Sequence, residues 1–460
     1  MTNEKEVISS QGQQEEKVGK GFTFFYATSV NGTAMLIASI ITSYFAIYLT
    51  DELHLPAITC SVIMLIATLW GAINDPIMGV IADRTNTRWG RYRPYFIVAP
   101  VLLTIFSTLM WVKPGLSQTG MVIWVLVTYI GYGMTVTLYT MPRMAILPAH
   151  VKGTQQRNKV ITFSTTVCAI VYSIGSTFKT QMVGFFTNTL GMENGYIPLM
   201  ICCGILACVC FWGLFATSEE KYIIKAPKRP ALREIGGVLK HLELYPFIMV
   251  WLLASISYGM MFSTSVYYVI YYLARPDLVT LYMGIVSAGS FVSMAVLMPI
   301  ALKILKTGQR VLIVTQMGSI VLYVLLFLFG KSNLMLLYVL TFLATSISAM
   351  QNGLVEVLVN DAIDYIQLKD GVSSNGVISS IKGFAQKCGN TITKSGILAV
   401  LGISGYIANA VGHQPGSVMF AINFLRFGIP VMASLLMLLF LRFNPVEKYA
   451  DAIAEMKSKQ

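Results

Sequence analysis

The chain has few charged side chains. Of its 460 residues only 12% are Asp, Glu, Lys or Arg, whereas 55% are hydrophobic and the mean hydropathy is +0.67. A soluble domain normally carries about 25% charged residues. A chain this apolar must hide most of its surface from water, so the composition argues against an ordinary soluble protein and favours one embedded in lipid.

Signatures of common enzyme classes are also missing. The sequence contains no GxxxxGK[ST] phosphate loop, no HExxH pair and no nucleophile elbow. The four histidines stand apart, and no CxxC pair flanks a polar loop, so no metal or redox centre is expected. The seven cysteines are interpreted as small apolar side chains. We therefore predict a protein that is not an enzyme and has no cofactor.

Positive charge is spread along the chain in short clusters. The net charge is +12, but Lys and Arg stand between apolar runs, which is the pattern of membrane topology rather than of nucleic-acid binding. We expect the lipid bilayer as the surrounding, no nucleic-acid partner and no obligate protein partner. The first twenty residues are polar, lack the apolar stretch of a signal peptide and are interpreted as disordered.

Twelve apolar runs are long enough to cross a bilayer, which takes about 20 residues each. Every span must be helical, because lipid offers no hydrogen bonds to a bare backbone. The predicted limits are 22–49, 57–82, 95–112, 120–147, 159–184, 195–217, 244–272, 280–303, 310–330, 334–362, 375–402 and 417–442. The sequence thus predicts an all-α integral membrane protein.

The longest polar interruption divides these spans into two groups of six. Two six-helix halves joined by a basic loop are the architecture of the major facilitator superfamily, in which the halves rock about a central site. The expected parts are a disordered N-terminus (1–20), a first bundle (21–217), a linker (218–243), a second bundle (244–442) and a tail (443–460).

Basic residues predict the orientation of the chain. Loops on the side of the two termini hold most of the Lys and Arg residues, whereas the opposite loops hold only Lys113, Arg275 and Lys331. Basic loops tend to stay in the cytoplasm. Both termini are therefore predicted to be cytoplasmic, in a multi-pass protein of the cell inner (plasma) membrane.

The end of the second span and the loop after it carry the most specific pattern. It reads Asn74-Asp75-Pro76-Ile77-Met78-Gly79, then Asp83-Arg84, Thr87-Arg88-Trp89-Gly90 and Arg93-Pro94. Asp83 near a helix end can pair with Arg84, Arg88 or a neighbouring helix terminus. Such a contact holds the cytoplasmic ends of helices together in one conformational state and releases them in the other. A solvated loop that only fixes the topology is the alternative.

This segment resembles the glycoside–pentoside–hexuronide:cation symporter family. Further matches are Thr50-Asp51, Asp361-Ala362-Ile363-Asp364-Tyr365, Gln386-Lys387-Cys388-Gly389 and Leu401-Gly402-Ile403-Ser404-Gly405-Tyr406-Ile407-Ala408-Asn409. The resemblance therefore runs through most of the chain. It implies secondary transport of a small molecule, namely a sugar or glycoside such as a hexuronide or pentoside, driven by H⁺ or Na⁺.

Ionisable residues inside spans are costly and mark functional sites. The resemblance implies that Asp75, next to Asn74, helps to bind the coupling cation, whereas packing beside Pro76 is the alternative. Lys387 lies in the eleventh span, where the resemblance implies a part in the sugar and cation site. Lys394, seven residues on, points roughly the same way. Two ammonium groups suit an anionic substrate; alternatively, they neutralise carboxylates on other helices.

Polar and aromatic side chains on other spans complete the predicted substrate site, because sugars stack on aromatic rings and share their hydroxyls with polar groups. Arg143 is a candidate for a bidentate grip on a carboxylate, or alternatively for the cytoplasmic gate. The other candidates are Tyr26, Asn31, Thr33, Tyr139, Thr140, Gln351 and Asn352. Each is equally consistent with a polar contact between helices. Lys179 and Arg426 also need partners, and Arg426 is expected to be structural.

A further set of charges is predicted to form the cytoplasmic gate. Its members are Asp83, Arg84, Arg88, Arg157, Glu356, Asp361 and Asp364. The resemblance implies an ion-pair network that, when closed, favours the outward-open state. A capping or topogenic role is the alternative.

The family pattern breaks where the coupling ion would bind. At positions where the melibiose branch of the family carries further acidic residues, this chain has Met35, Gly71 and Thr140, and Thr165 stands at an arginine position. One carboxylate can carry a proton, whereas a Na⁺ site wants several oxygen ligands. We therefore expect alternating access with H⁺ favoured over Na⁺. Uncoupled facilitation, or a carrier of the same fold for an amphiphile such as a lysolipid, are the alternatives.

Overall fold

The computed structural model describes residues 18–222, 240, 244–370 and 375–444, and this part of the chain folds into twelve long helices. In chain order they are α1 (Lys20–Glu52), α2 (Ala57–Arg84), α3 (Tyr95–Leu109), α4 (Gln118–His150), α5 (Thr154–Gly184), α6 (Tyr196–Thr217), α7 (Tyr245–Tyr272), α8 (Pro276–Leu305), α9 (Gly308–Phe329), α10 (Leu334–Ser348 and Met350–Asp370), α11 (Asn375–Ile403) and α12 (Gly416–Leu441).

The helices follow the predicted spans to within a few residues. Ten of those in the described ranges are long and apolar enough to cross a membrane. The apolar α3 is shorter, at 15 residues, and α11 has 29 residues but a more polar sequence. The largest difference is at α10, which runs on from the predicted end at 362 to Asp370. Apolar length marks the part of a helix inside lipid, and a helix continues past it into polar surroundings.

Packing repeats with a shift of six helices, which relates α1–α6 (the first half) to α7–α12 (the second half). In the first half α1 packs on α5, α2 on α4 and α3 on α4; in the second half α7 packs on α11, α8 on α10 and α9 on α10. The two main seams between the halves, α2 with α11 and α8 with α5, are exchanged by the same shift. The structure therefore contains an internal repeat that the sequence hardly displays.

The two ends of the helix bundle are distinguished by the helix ends and loops that lie there. At one end, the start of α1 meets the end of α4, where the rings of Phe22 and His150 stack with centroids 3.9 Å apart. There Glu220, just past α6, accepts backbone hydrogen bonds from residues 91–93 at 2.7–3.2 Å. We call this end the terminal face. The opposite end, the far face, holds the end of α1 and the α11–α12 loop.

Several helices loosen into π-helical turns. Such turns are often found at functional sites. In α1 they cover Ser29–Ala34 and Tyr48–Glu52, and in α7 they cover Tyr268–Tyr272. The turns Tyr48–Glu52 and Tyr268–Tyr272 stand at the far-face ends of α1 and α7, so the six-helix shift relates them too.

Buried apolar residues form two clusters in the described part of the chain. The larger contains residues of both halves, among them Tyr44 and Tyr48 of α1, Tyr271 of α7 and Leu401 of α11. The smaller belongs to the second half, around Trp251. The halves therefore share a core toward the far face.

Candidate functional site

An ion pair joins the two halves in the middle of the bundle. The Lys387 ammonium on α11 contacts the Asp75 carboxylate on α2, and the Thr137 hydroxyl on α4 donates to the same carboxylate at 2.7 Å. The Asp75 side chain is 17% exposed and that of Lys387 is 42% exposed. The pair therefore borders a space that water and solutes reach. Both residues are predicted site residues, and the structure brings them together.

Lys394 lies two turns along α11 from Lys387. Its ammonium stands 3.4 Å from the Tyr129 hydroxyl on α4 and 5.9 Å from the centre of that ring. Both lysines thus reach from α11 to the first half, as their seven-residue spacing predicts.

Asn74, the neighbour of Asp75, is 3% exposed. Its amide Nδ2 is buried without a hydrogen-bond partner among the described residues. A buried donor without an acceptor costs free energy, so a ligand oxygen would be stabilised there.

A second polar cluster lies between α1, α4 and α5. Arg143 donates from Nη2 to Ser164 Oγ at 2.7 Å, and its guanidinium carbon lies 4.4 Å from the ring centre of Tyr26. Asn31, in the π turn of α1, donates to the Oγ and the main-chain oxygen of Ser164 at 3.0 Å each. Arg143 Nε is buried without a partner in the described part of the molecule. One donor of the guanidinium is therefore unused.

The other predicted substrate residues of the first half have local partners. Thr33 and Thr140 donate to main-chain carbonyls one turn earlier in their own helices, at 2.8 and 2.7 Å. Tyr139 packs edge-on against Phe211 of α6, with ring centroids 5.4 Å apart. These hydroxyls and rings therefore serve the packing of the helices in this state.

Gln351 belongs to a buried series of hydrogen bonds inside the second half. It is 1% exposed, and its Oε1 accepts a hydrogen bond from Gln316 Nε2 of α9 at 3.3 Å. Gln316 Oε1 in turn accepts from Ser434 of α12 at 2.6 Å. These contacts support the interhelical role that the sequence leaves open for Gln351. Asn352, its neighbour, is half-buried.

Three of the predicted gate residues, Glu356, Arg157 and Arg88, have partners within their own halves. Glu356 of α10 pairs with Lys382 of α11. Arg157 donates to a main-chain carbonyl five residues earlier at 2.7 Å, and Arg88 lies 4.5 Å from the ring centre of the adjacent Trp89. Each of these three contacts lies within one half of the protein.

The structure gives less information about four further predicted gate residues. Asp361 and Asp364 are half-buried near the end of α10. The side chains of Asp83 and Arg84 lie outside the described part of the structure. Their roles in the gate stay predictions.

Among the described residues, an extensive polar contact between the halves involves a residue absent from the predicted site. The Asp51 carboxylate, at the end of α1, accepts hydrogen bonds from the Tyr271 hydroxyl of α7 and, at 2.6 Å, from the Tyr406 hydroxyl of the α11–α12 loop. Asn409 Nδ2 donates to the Asp51 main-chain oxygen at 2.7 Å. Tyr406 is 355 positions away in sequence. The available signals were an acidic residue at a face with few basic ones and the family matches at Thr50-Asp51 and in the segment from Leu401 to Asn409.

Small hydroxyl side chains join the halves along both seams. Ser61 of α2 donates to the main-chain oxygen of Ser395 on α11 at 2.7 Å. Thr177 of α5 donates to Ser287 Oγ on α8 at 3.1 Å. Together with the shared core, these contacts close the bundle toward the far face.

Two cations inside the bundle have aromatic partners. Lys179 is 9% exposed, and its ammonium lies 4.3 and 4.5 Å from the ring centres of Tyr44 and Tyr196. Arg426 is fully buried and donates to the Tyr282 hydroxyl at 3.2 and 3.3 Å. Cation–π attraction and hydrogen bonds offset part of the cost of burying these charges. Among the described residues, no group of three His, Cys, Asp or Glu side chains could hold a metal ion.

Known proteins are similar to this chain over almost its whole length. A family model described as MFS/sugar transport protein matches residues 28–448. The chain is 25% identical over 432 residues to an isoprimeverose transporter of Lactiplantibacillus pentosus, covering 92% of this chain and 88% of that one. It is also 25% identical over 422 residues to a glucuronide carrier protein homolog of Escherichia coli (strain K12), covering 90% of each.

A solved structure supports the fold. A bacterial homolog of the human lysosomal transporter Spinster, in an inward-facing and unoccupied conformation, matches with a TM-score of 0.64 and 13% identity, covering 92% of this chain and 95% of that one. The family match confirms the resemblance seen in the sequence, and the relatives are transporters rather than enzymes. The protein therefore belongs to the sugar transport proteins of the major facilitator superfamily and is a multi-pass transporter of the plasma membrane.

Proposed function

We propose that the protein is a symporter that couples uptake of a sugar or glycoside to a cation, with the Asp75–Lys387 pair as the coupling element. The observation that carries this proposal is the position of the pair. It links α2 of the first half to α11 of the second and stands at a space open to solutes. A cation that binds Asp75 competes with Lys387 and so acts on a link between the halves.

This competition makes cation and substrate binding depend on each other. A cation on Asp75 releases the Lys387 ammonium, whose three donors then suit substrate oxygens. A substrate that engages Lys387 leaves the Asp75 carboxylate uncompensated, which is costly away from bulk water. Each ligand therefore raises the affinity for the other, as a symporter requires.

The coupling ion is proposed to be H⁺. The described partners of Asp75 are Lys387 and Thr137, an ammonium and one hydroxyl. Gly71, one turn before Asp75, supplies no oxygen from its side chain. A single carboxylate takes up a proton without further ligands, whereas Na⁺ needs several. Na⁺ coupling and uncoupled facilitation are the alternatives.

The substrate is proposed to carry an anionic group, as a glucuronide or another hexuronide does. Arg143 keeps an unused, buried Nε donor, and Lys387 and Lys394 add two ammonium groups from the opposite half. One named relative is an isoprimeverose transporter and the other is a glucuronide carrier protein homolog, so a neutral pentoside is the alternative cargo.

A second candidate function is transport of an amphiphile such as a lysolipid. A groove of ≈ 630 Å³ on the α5–α8 seam favours it, since its wall is apolar and includes Phe178, Leu281 and Phe342. Asp75 and Lys387 do not line this groove, so the two candidate routes are separable by mutation.

Uptake into vesicles tests the proposal. Purified protein is reconstituted, and labelled methyl glucuronide, isoprimeverose and lysolipid are offered under imposed H⁺ or Na⁺ gradients. We expect an H⁺ gradient to drive accumulation of a glycoside. Asp75→Asn should abolish accumulation but keep exchange of internal for external substrate, because binding then no longer depends on the cation. Asp277→Asn, at an exposed pair on the far face, is the control. No gradient-driven accumulation of any glycoside would refute the symporter.

A further inference from the structure

We propose that Asp51 is the central residue of the gate at the far face. Its carboxylate holds the two halves together in the state seen here, and the far face opens only when its hydroxyl partners are released. This inference concerns gating and does not depend on the identity of the substrate or the coupling ion.

The Asp51 carboxylate accepts hydrogen bonds from donors in separate parts of the chain. Thr50 of α1 donates to Oδ1 at 2.8 Å. Tyr271 of α7 donates to Oδ2 and Tyr406 of the α11–α12 loop donates to Oδ1. Two of the three donors thus belong to the other half. Hydrogen bonds to an ionised carboxylate are roughly twice as strong as those between neutral groups.

Ring packing holds the two tyrosines in place. The rings of Tyr271 and Tyr406 meet edge-on with centroids 5.2 Å apart, and Tyr267 packs on Tyr406 at 5.9 Å. Burial raises the pKa of Tyr406 far above its ordinary range. Its hydroxyl therefore remains a donor at any physiological pH.

The backbone shape of the α11–α12 loop brings Tyr406 to Asp51. Asn409 adopts a left-handed backbone with φ +60° and Gly405 one with φ +86°, conformations that Asn and Gly tolerate best. In this shape Asn409 donates its backbone N–H to the Tyr271 hydroxyl at 3.3 Å and its side chain to the Asp51 backbone. The α11–α12 loop is thereby tied to both α1 and α7.

These contacts exist only while the far face is closed, so they bias the balance between the two access states. Removing the charge of Asp51 weakens two hydrogen bonds between the halves. Loss of one charge-assisted hydrogen bond of this kind corresponds to about a tenfold shift in an equilibrium. We therefore expect Asp51→Asn to raise the population that is open at the far face by about tenfold.

Labelling of a single cysteine measures that population. Ala46 of α1 lines a narrow space beneath Asp51, together with Phe45 and Met64. Ala46→Cys is placed in the full chain after the seven native cysteines are replaced, and a membrane-impermeant thiol reagent is added to the far face of oriented vesicles. Labelling should be about tenfold faster with Asp51→Asn and increase less with Tyr406→Phe, which keeps the carboxylate. Asp51→Glu should return it toward the parent rate.

The control is Asp277→Asn, which removes a carboxylate from the same face. Asp277 pairs with Arg275 of its own half at 2.8 Å, so its loss should leave labelling unchanged. Melting temperatures establish that each variant is folded. If Asp51→Asn fails to fold, Tyr406→Phe and Tyr271→Phe decide. Unchanged labelling in folded gate variants, or equal acceleration by Asp277→Asn, would overturn the proposal.

Discussion

Asp51 and Tyr271 occupy the fourth position of two equivalent π-helical turns, and a hydrogen bond joins their side chains. The six-helix shift carries the end of α1 onto the end of α7, so the repeat places the same backbone shape on both sides of the seam. The first half supplies an acceptor there and the second half a donor. The different residues at the fourth position of the two turns thus make the repeated scaffold self-complementary.

The first prediction concerns the Asp75–Lys387 pair. Replacing either partner alone, as Asp75→Asn or Lys387→Gln, should lower the free energy of unfolding by about 1–3 kcal/mol, because the remaining charge loses its compensation. The double variant should recover most of this loss, and the difference measures the coupling between the two residues. Thermal melting in detergent provides the data. Additive losses in the double variant would show that the pair makes no energetic contribution.

The second prediction concerns ion selectivity. A Cβ atom added at Gly71 would meet no atom within 4 Å, so we expect Gly71→Asp to be tolerated. It places a second carboxylate one helical turn from Asp75 and supplies oxygen ligands that Na⁺ requires. We expect Na⁺ to stimulate uptake in this variant and the H⁺ gradient to lose its effect. Gly71→Ala, which adds no ligand, should behave like the parent; an identical ion response in Gly71→Asp would place ion selection elsewhere.

The third prediction tests whether Arg143 recognises charge. Arg143→Gln should raise KM for a glucuronide by about tenfold, the scale of one charge-assisted hydrogen bond, and leave KM for a neutral pentoside nearly unchanged. Arg143→Lys keeps the charge but loses the planar guanidinium group, so its KM for a glucuronide should fall between those of the parent and of Arg143→Gln. Transport assays over a range of substrate concentrations measure KM. Equal losses for both sugars would assign Arg143 to helix packing.

The fourth prediction concerns the buried Arg426. Tyr282→Phe removes the hydroxyl that accepts its hydrogen bonds and should lower stability by about 1–3 kcal/mol. Tyr268→Phe is a matched control, since its hydroxyl is buried without a partner among the described residues. That change should be neutral or stabilising. Melting temperatures of the two variants, compared under one condition, distinguish them.

The sequence predicts the helices well because apolar length maps directly onto lipid thickness. It fails at the end of α10, since the helix continues to Asp370 where apolar residues have ended. Asp75 and Lys387 are each predictable as costly charges. The resemblance places both at the cation site, but their direct contact with each other depends on α2 packing against α11.

The direction of a side chain is a second quantity that sequence alone leaves open. Gln351 belongs to the predicted substrate site, yet in the structure it takes part in a series of hydrogen bonds between α9, α10 and α12. Asp51 is absent from that site, since its partners come from α7 and from a loop 355 positions away. A polar residue on a helix acquires a role only when packing decides which neighbours it faces.

The two seams that the six-helix shift exchanges differ in electrical character. The α2–α11 seam carries the Asp75–Lys387 pair, whereas the contacts described on the α5–α8 seam include the hydroxyls of Ser176 and Thr177 against Ser287. Parting hydroxyls moves no net charge, while parting an ion pair does. Separating the halves along the α2–α11 seam therefore requires work against the attraction between two opposite charges, whereas the contacts described on the α5–α8 seam impose no such cost.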